Sequence, residues 1–257
     1  EAIIGNVLPA GQGQAPARQA VLGAGLPLST HCTTINKMCG SGMKAAMLCH
    51  DLLTAGVNDV MIAGGMESMS NAPYLLPRVR TGLRMGHGEV IDHMFFDGLE
   101  DAYDKGKLMG VFAENCADKY HFSREQQDEF AIASLERAVK ATKNGYFTAE
   151  IAPVTVKSRR DQHIVERDEA PFNARIEKIP TLRPAFRKDG TVTAANASSI
   201  SDGAAALLMM RESTAMKLGL KPEARVLGNT THAHQPAWFT TAPVSAMQRL
   251  LKKLNWK

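Results

Sequence analysis

The sequence predicts an α/β fold built on a parallel sheet and interrupted by a long insertion. Three observations predict it: residues 1–68 alternate short apolar runs with helix-like runs, residues 69–200 lose that rhythm, and the alternation resumes after Ser201-Asp202-Gly203. Strand, helix and strand in quick succession mark βαβ units, whose loops and helix N-termini gather at the C-terminal ends of the strands.

The elements follow in order. Residues 2–8 form an apolar run that reads as the first strand. Gly11-Gln12-Gly13 lacks the spacing of a dinucleotide fingerprint and reads as a turn. Residues 16–22 start a helix with proline in its first turn, where the missing N–H is not needed. Residues 32–35 read as the second strand and residues 41–55 as a helix ended by Gly56. Within that helix Met43, Ala46, Met47, His50 and Leu53 recur at three- and four-residue steps and are expected on one buried face. Residues 60–63, followed by Gly64 and Gly65, read as a buried strand.

Between residues 69 and 200, Pro and Gly punctuation and 19 charges of each sign point to a helix-bearing insertion. One helix is expected over residues 110–120, with Phe112, Ala113, Cys116 and Ala117 on one side. The next begins at the capping box Ser123-Arg124-Glu125-Gln126 and runs through Phe130, Ala133 and Leu135 to Asn144-Gly145. After the insertion, residues 204–210 read as a buried strand, 213–218 as a helix closed by Gly219, and 224–229 as another strand. Residues 243–254 form an amphipathic helix with Val244, Met247, Leu250, Leu251 and Leu254 on its inner side.

With 44% hydrophobic and 22% charged residues, the 257-residue chain has the composition of a globular protein. The formal charge of +4 lies near the C-terminus, where residues 201–257 carry 8 basic and 3 acidic side chains, mostly around Arg249, Lys252, Lys253 and Lys257. Without aromatic interleaving or a recognition motif, this cluster reads as a solvated helix face and not a nucleic-acid surface. Arg78, Arg80 and Arg84 read equally as a solvated loop or as contacts for phosphates or a neighbouring subunit. No apolar stretch reaches membrane-spanning length. Four cysteines without paired spacing point to reduced thiols and a cytoplasmic setting. The sequence starts at Glu1 and shows no signal or transit segment, so organellar targeting by a preceding segment stays open. The βα pattern stops just after a helix, and a further strand is expected downstream.

Cys39 is the leading candidate for chemistry. It lies in Ile35-Asn36-Lys37-Met38-Cys39-Gly40-Ser41-Gly42-Met43-Lys44, between a strand and a helix. A thiol at a helix N-terminus faces unpaired N–H groups and the positive end of the helix dipole, which favours the nucleophilic thiolate. Lys44, one turn on, can add to that field. Most cysteines are small core residues, and that is the expectation for Cys32, Cys49 and Cys116. His232-Ala233-His234 offers two imidazoles but no third ligand nearby, so a loop or edge role is expected there.

Asn36-Lys37-Met38-Cys39-Gly40-Ser41-Gly42-Met43-Lys44-Ala45 resembles the active-site segment of thiolases, which form or cleave 3-ketoacyl-CoA thioesters. Gly5-Asn6-Val7-Leu8, leading to Gly13-Gln14-Ala15-Pro16-Ala17-Arg18-Gln19, and Ala63-Gly64-Gly65-Met66-Glu67-Ser68-Met69-Ser70 are similar to thiolase segments too. So are Met109-Gly110 with Ala113-Glu114-Asn115, Leu182-Arg183-Pro184-Ala185-Phe186, and Thr191-Val192-Thr193-Ala194-Ala195-Asn196-Ala197-Ser198 followed by Ser201-Asp202-Gly203-Ala204-Ala205. They occur in family order and cover the whole chain.

The resemblance implies a subunit of two similar α/β halves in α/β/α layers, with an α-rich loop domain inserted in the first. Residues 1–68 and 201–257 would be the N-terminal domain, and residues 69–200 the loop domain that covers CoA and packs subunits into homodimers or homotetramers. Cys39 is implied as the acyl-carrying nucleophile, with the backbone N–H groups of Cys39 and Gly40 holding the oxyanion. Ser198, Phe186, Ala194 and Leu99 are implied to line the pantetheine channel, and Met109 to shape the acyl pocket. Leu108 replaces the His of the usual His-Met-Gly segment, a departure that bears on chain-length preference.

The expected activity is that of an acetyl-CoA acetyltransferase making or cleaving acetoacetyl-CoA in lipid and fatty-acid metabolism, with acetyl-CoA and CoA as partners and neither cofactor nor metal. The alternatives are a degradative thiolase for longer chains and a non-catalytic thiolase-like CoA-binding or assembly module. A ketoacyl synthase shares the layered fold and a reactive cysteine, but its cysteine lies in a different segment and it works on carrier proteins. Thiolases also carry Asn-Glu-Ala-Phe, Gly-His-Pro and Cys-x-Gly segments in their C-terminal half. None occurs in these 257 residues, so a longer subunit is expected.

Overall fold

The computed structural model describes residues 1–157 and 161–256. Lys257 of the basic cluster lies outside the described residues. The strands are β1 (Ala2–Gly5), β2 (Cys32–Ile35), β3 (Val60–Ser68), β4 (Tyr74–Leu75), β5 (Ile91–Asp92), β6 (Val154–Lys157), β7 (Gln162–Val165) and β8 (Asp202–Met210). The α-helices are α1 (Pro16–Gly23), α2 (Ser41–Thr54), α3 (Met109–Tyr120), α4 (Arg124–Lys143), α5 (Ala170–Asn173), α6 (Glu212–Lys217) and α7 (Ala242–Lys253). Among the described residues, no helix is long and apolar enough to cross a membrane.

The chain divides into two compact units, Glu1–Met109 with Ile200–Lys257, and Gly110–Ser199. Residues 69–109, which the sequence reading placed with the insertion, thus group with the first unit. That unit is organised on a four-stranded sheet of order β2-β1-β3-β8. Strands β1, β2 and β3 are parallel, whereas β8 runs antiparallel to β3, pairing Ser68 with Asp202 and Val60 with Met210. The sheet is therefore mixed, because the chain reaches β8 after the long insertion and not through a crossover helix.

The core of this unit lies between the sheet and α2, where Ile3, Ala45, Cys49, Leu53, Met61 and Ala63 are buried together. Each large apolar side chain so buried contributes roughly 1.5–3 kcal/mol. The buried stripe of α2 is Ser41, Ala45, Cys49 and Leu53, and Met43 of the expected stripe is 69% exposed. The reason is the close approach of α2 to the strands. A β-carbon on Gly65 would lie 3.3 Å from Gly42 Cα, and one on Gly42 3.8 Å from Gly65 Cα. At that separation small side chains face the sheet and the methionine turns outward.

Three further expectations are corrected. β8 forms, but residues 202–208 are exposed rather than buried, with Leu207 at 59% and Leu208 at 64%. Among the described residues it ends the strand order and is paired on one side, and an apolar run by itself does not reveal what lies beside it. Residues 224–229 form no strand, since no described strand offers them a ladder. Helix α7 forms but buries no residue, and Val244, Met247 and Leu251 are exposed.

In the second unit, α3 buries Phe112, Glu114 and Ala117, so a glutamate shares the side expected to be apolar. Helix α4 starts at the expected capping box: the Gln126 N–H donates to Ser123 Oγ at 3.2 Å, and the Ser123 N–H donates to Gln126 Oε1 at 3.0 Å. Such a cap stabilises a helix by about 1 kcal/mol. Phe130 on α4 is exposed.

Candidate active site

The candidate nucleophile sits where the parallel strands end and α2 begins. Cys39 is exposed, two residues before Ser41, the first residue of α2. Gly5 closes β1 against that helix end: a β-carbon on it would lie 2.6 Å from Ser41 Cβ and 2.7 Å from Gly42 N. Only glycine lets the first turn of α2 rest on the strand ends, and this contact sets the height at which Cys39 is presented.

The turn carrying Cys39 is braced on both sides. Met38 adopts a left-handed conformation with φ 47°, uncommon for a residue with a side chain. Its N–H donates to Asn36 Oδ1 at 2.8 Å, an Asx turn, while its carbonyl accepts from Ser41 Oγ at 2.5 Å and from the Ser41 N–H at 3.0 Å. Ser41 Oγ also accepts the Lys37 N–H at 2.8 Å. Behind Asn36, whose amide donates to the Val7 carbonyl at 3.4 Å, Glu67 of β3 takes the Val7 N–H at 2.8 Å and the Leu8 N–H at 2.9 Å. The chain leaving β1 is thereby strapped to β3, and the cysteine turn rests on that strap.

The Gly40 N–H donates to the Lys37 carbonyl at 3.1 Å, so of the two backbone groups expected to hold an oxyanion, that of Gly40 is already engaged. Beside the strap a cavity of about 490 Å³ is lined by Asn6, Gln12, Met66, Glu67, Ser68 and neighbours, without Cys39. Asn6 Oδ1 is buried there without a hydrogen-bond partner.

The four cysteines are free thiols in different settings. Cys49 is fully buried, and burial pushes its thiol up to about 11. Cys32 and Cys116 are half-buried. Iodoacetamide near pH 8 is therefore expected to alkylate Cys39 first and to leave Cys49 unmodified in the folded protein, as read by peptide mass spectrometry. Because the fold holds Cys49 neutral, its stabilising effect is complete below the unfolded thiol value of about 8.5 and is lost as pH rises through about 11. Cys49 labelling at pH 8 in step with Cys39 would contradict both expectations.

The remaining candidates fall into two groups. Leu99 and Met109 flank an antiparallel bridge between Glu100 and Leu108, which closes the loop 101–107. Leu99 ends a π-helical turn, Met94–Leu99, anchored by His93 Nδ1 at 2.6 Å from Asp97 Oδ2. In the second unit, the Phe186 ring packs against Gly110, 2.3 Å from where a β-carbon would be. Ala194 and Ser198 are both exposed on the segment after Thr193. That segment is tied down by Glu114, which is fully buried and accepts the Thr191 N–H on both oxygens, at 3.0 and 2.9 Å, and the Val192 N–H at 2.9 Å.

Sequence reasoning missed Glu67, Ser41 and Asn36 as braces of the cysteine turn. Asn36 and Ser41 did carry a signal, since Asn and Ser flanking a helix start commonly bond nearby backbone. Glu67 carried none, because its partners are 59 and 60 residues away. His232 and His234 lie in an irregular segment, with His234 Nε2 2.7 Å from the Trp238 carbonyl. Among the described residues no group of three or more His, Cys, Asp or Glu could hold a metal ion.

The site is framed by a mixed α/β sheet with an exposed cysteine on a braced turn before a helix, and comparison with known proteins gives the family of this fold. Residues 1–213 match the thiolase N-terminal domain. The chain belongs to the thiolase family. It is 50% identical to acetyl-CoA acetyltransferase 2 of Arabidopsis thaliana over 98% of this chain and 63% of that protein. It is 47% identical to a probable acetyl-CoA acyltransferase of Staphylococcus aureus (strain COL), over 98% of this chain and 65% of that one. Among solved structures, an acetyl-CoA acetyltransferase from Syntrophomonas wolfei matches with a TM-score of 0.93 at 39% identity, covering 100% of this chain and 65% of that one. A thiolase from Ascaris suum, solved in complex with coenzyme A, matches with a TM-score of 0.92 at 40% identity, covering 100% and 66%. The chain thus spans about 65% of the length of the relatives it matches.

Proposed function

We propose that this chain supplies the nucleophile of an acetyl-CoA acetyltransferase that forms or cleaves acetoacetyl-CoA. The observation that supports this most is the exposed Cys39 thiol on a braced left-handed turn at the N-terminus of α2, in a chain of the thiolase family. The Cys39 thiolate attacks the carbonyl carbon of acetyl-CoA, and collapse of the tetrahedral adduct expels CoA thiolate, which takes up a proton. A second acetyl-CoA, deprotonated at its α carbon, then attacks the acetyl group, breaks its bond to Cys39 and leaves as acetoacetyl-CoA. The covalent intermediate divides one hard condensation into two easier steps.

Ser198, Phe186, Ala194 and Leu99 are assigned to the pantetheine arm and Met109 to the acyl pocket, on the family resemblance. With the Gly40 N–H engaged, the Cys39 N–H is the backbone group assigned to the oxyanion. The resemblance gives the deprotonation of Cys39 to a His in a Gly-His-Pro segment that these 257 residues lack. Assembly as a homodimer or homotetramer and a cytoplasmic setting belong to the same proposal. The first is supported by β2, a sheet-edge strand among the described residues, and the second by four free thiols.

Trapping tests the proposal: full-length protein incubated with radiolabelled acetyl-CoA is expected to carry label on the Cys39 peptide. Absence of label there would favour a non-catalytic CoA-binding module. Leu108 in the place of the family His supports a second reading, a thiolase for longer chains. A thiolysis rate that rises with acyl-chain length would establish it over the acetyl-specific one.

A further inference from the structure

We propose, resting on the acyl-transfer function above, that Glu114 is a positioning residue for CoA binding: its buried carboxylate sets the backbone at Thr191 and Val192 and thereby presents Ala194 and Ser198 to the pantetheine arm.

Glu114 lies on α3 with no exposed surface, a rare place for a carboxylate unless every lone pair is used. Here Oε1 accepts from the N–H groups of Thr191 and Val192, and Oε2 from the Thr191 N–H and, at 3.2 Å, the Thr191 hydroxyl. Arg187 Nη2 stands 3.7 Å from Oε2, and the same guanidinium bonds both oxygens of Asp118. Gly190 completes the clasp, since a β-carbon there would lie 2.1 Å from Glu114 Oε1. Glycine at 190 is what lets the carboxylate reach the two N–H groups that follow.

The clasp acts on a segment that is rigid at its base and open at its top. Val192 and Thr193 are buried, while Ala194 and Ser198 are exposed. Asn196 folds back beneath them: its Oδ1 accepts the Thr193 N–H at 2.7 Å, and its amide donates to the Thr191 carbonyl at 3.0 Å and to Asp128 Oδ1 at 3.1 Å. Gln127 donates to the Thr191 hydroxyl at 2.8 Å. Thr191 is therefore the point where the bonds from α3, α4 and Asn196 meet, and Glu114 supplies most of them. A glutamine at 114 would keep the size but offer one accepting oxygen in place of two, and its NH₂ would face donors. The segment would loosen although no exposed residue had changed.

The test measures KM for acetyl-CoA and kcat separately in full-length protein, with melting temperature alongside. Glu114→Gln is expected to raise KM about tenfold with kcat within about twofold. Gly190→Ala, which pushes on the same oxygen, is expected to do likewise, and the double variant to add little, as for one shared interaction. Ala117→Gly, at a buried position of the same helix whose methyl side chain makes no hydrogen bond in the clasp, controls for lost stability and is expected to leave KM unchanged. An unchanged KM in Glu114→Gln, or an equal rise in Ala117→Gly, would overturn the inference. Wild-type protein that neither binds nor turns over acetyl-CoA would instead overturn the acyl-transfer function, and the same assay reads it.

Discussion

Cys39→Ser is expected to lower acetyl transfer by a factor on the order of 10³ or more and to leave the fold intact. A serine hydroxyl at neutral pH is a far weaker nucleophile than a thiol, which ionises many pH units lower. The acyl group would also be held as an oxygen ester, a poorer acyl donor to the incoming carbanion than a thioester. The fold should not register the change. The turn is held through the Met38 backbone, Asn36, Ser41 and Lys37, none of which uses the Cys39 sulfur. Single-turnover labelling together with thermal melting checks both halves. Retained transfer in the serine variant would move the nucleophile elsewhere, and a large drop in melting temperature would give the cysteine a structural role instead.

Gly5→Ala is expected to destabilise the protein by about 3 kcal/mol or more, at the upper end of what overpacking costs. The new methyl would sit 2.6 Å from Ser41 Cβ, 2.7 Å from Gly42 N and 2.7 Å from Ser41 C. These are backbone or backbone-adjacent atoms of a helix, with no flexible side-chain end to swing away. Relief requires that the start of α2 lift off the sheet, which would carry the Cys39 turn with it. Both the urea midpoint and the alkylation rate of Cys39 should therefore change. Gly23→Ala is the matched control, because a β-carbon there meets nothing within 4 Å and the position ends a helix. That variant is expected to be neutral or slightly stabilising. Gly5→Ala with wild-type stability would mean that the close approach of α2 does not set the site.

Local pattern and burial were legible in the sequence to different degrees. β2, α2 and the capping box of α4 fall where patterns of period 2 and 3.6 and side-chain capping place them, because those signals act within a few residues. Burial was less legible. Met43 of the stripe expected on α2 and most of the apolar run of β8 have the composition of core but are exposed, since burial depends on which surfaces meet them. Residues 224–229 have strand chemistry without a strand neighbour. Of the site, the thiol and its flanking segments were readable. The braces from Glu67 and Glu114 were not, because a carboxylate 60 or 77 residues from the N–H it accepts leaves no mark in local spacing.

The antiparallel pairing of β8 also has a consequence for synthesis. The hydrogen bond from the Ser70 N–H to Asp202 joins positions 132 residues apart, so β3 emerges from the ribosome long before its outer neighbour exists. At roughly 5–20 residues per second, that interval is on the order of ten seconds. Strands β1 to β3 and α2 can form the cysteine turn in that time, while one edge of β3 waits open. The Cys39 turn can thus be among the first features of the chain to take shape, on a sheet whose β3 edge is then most open to wrong partners.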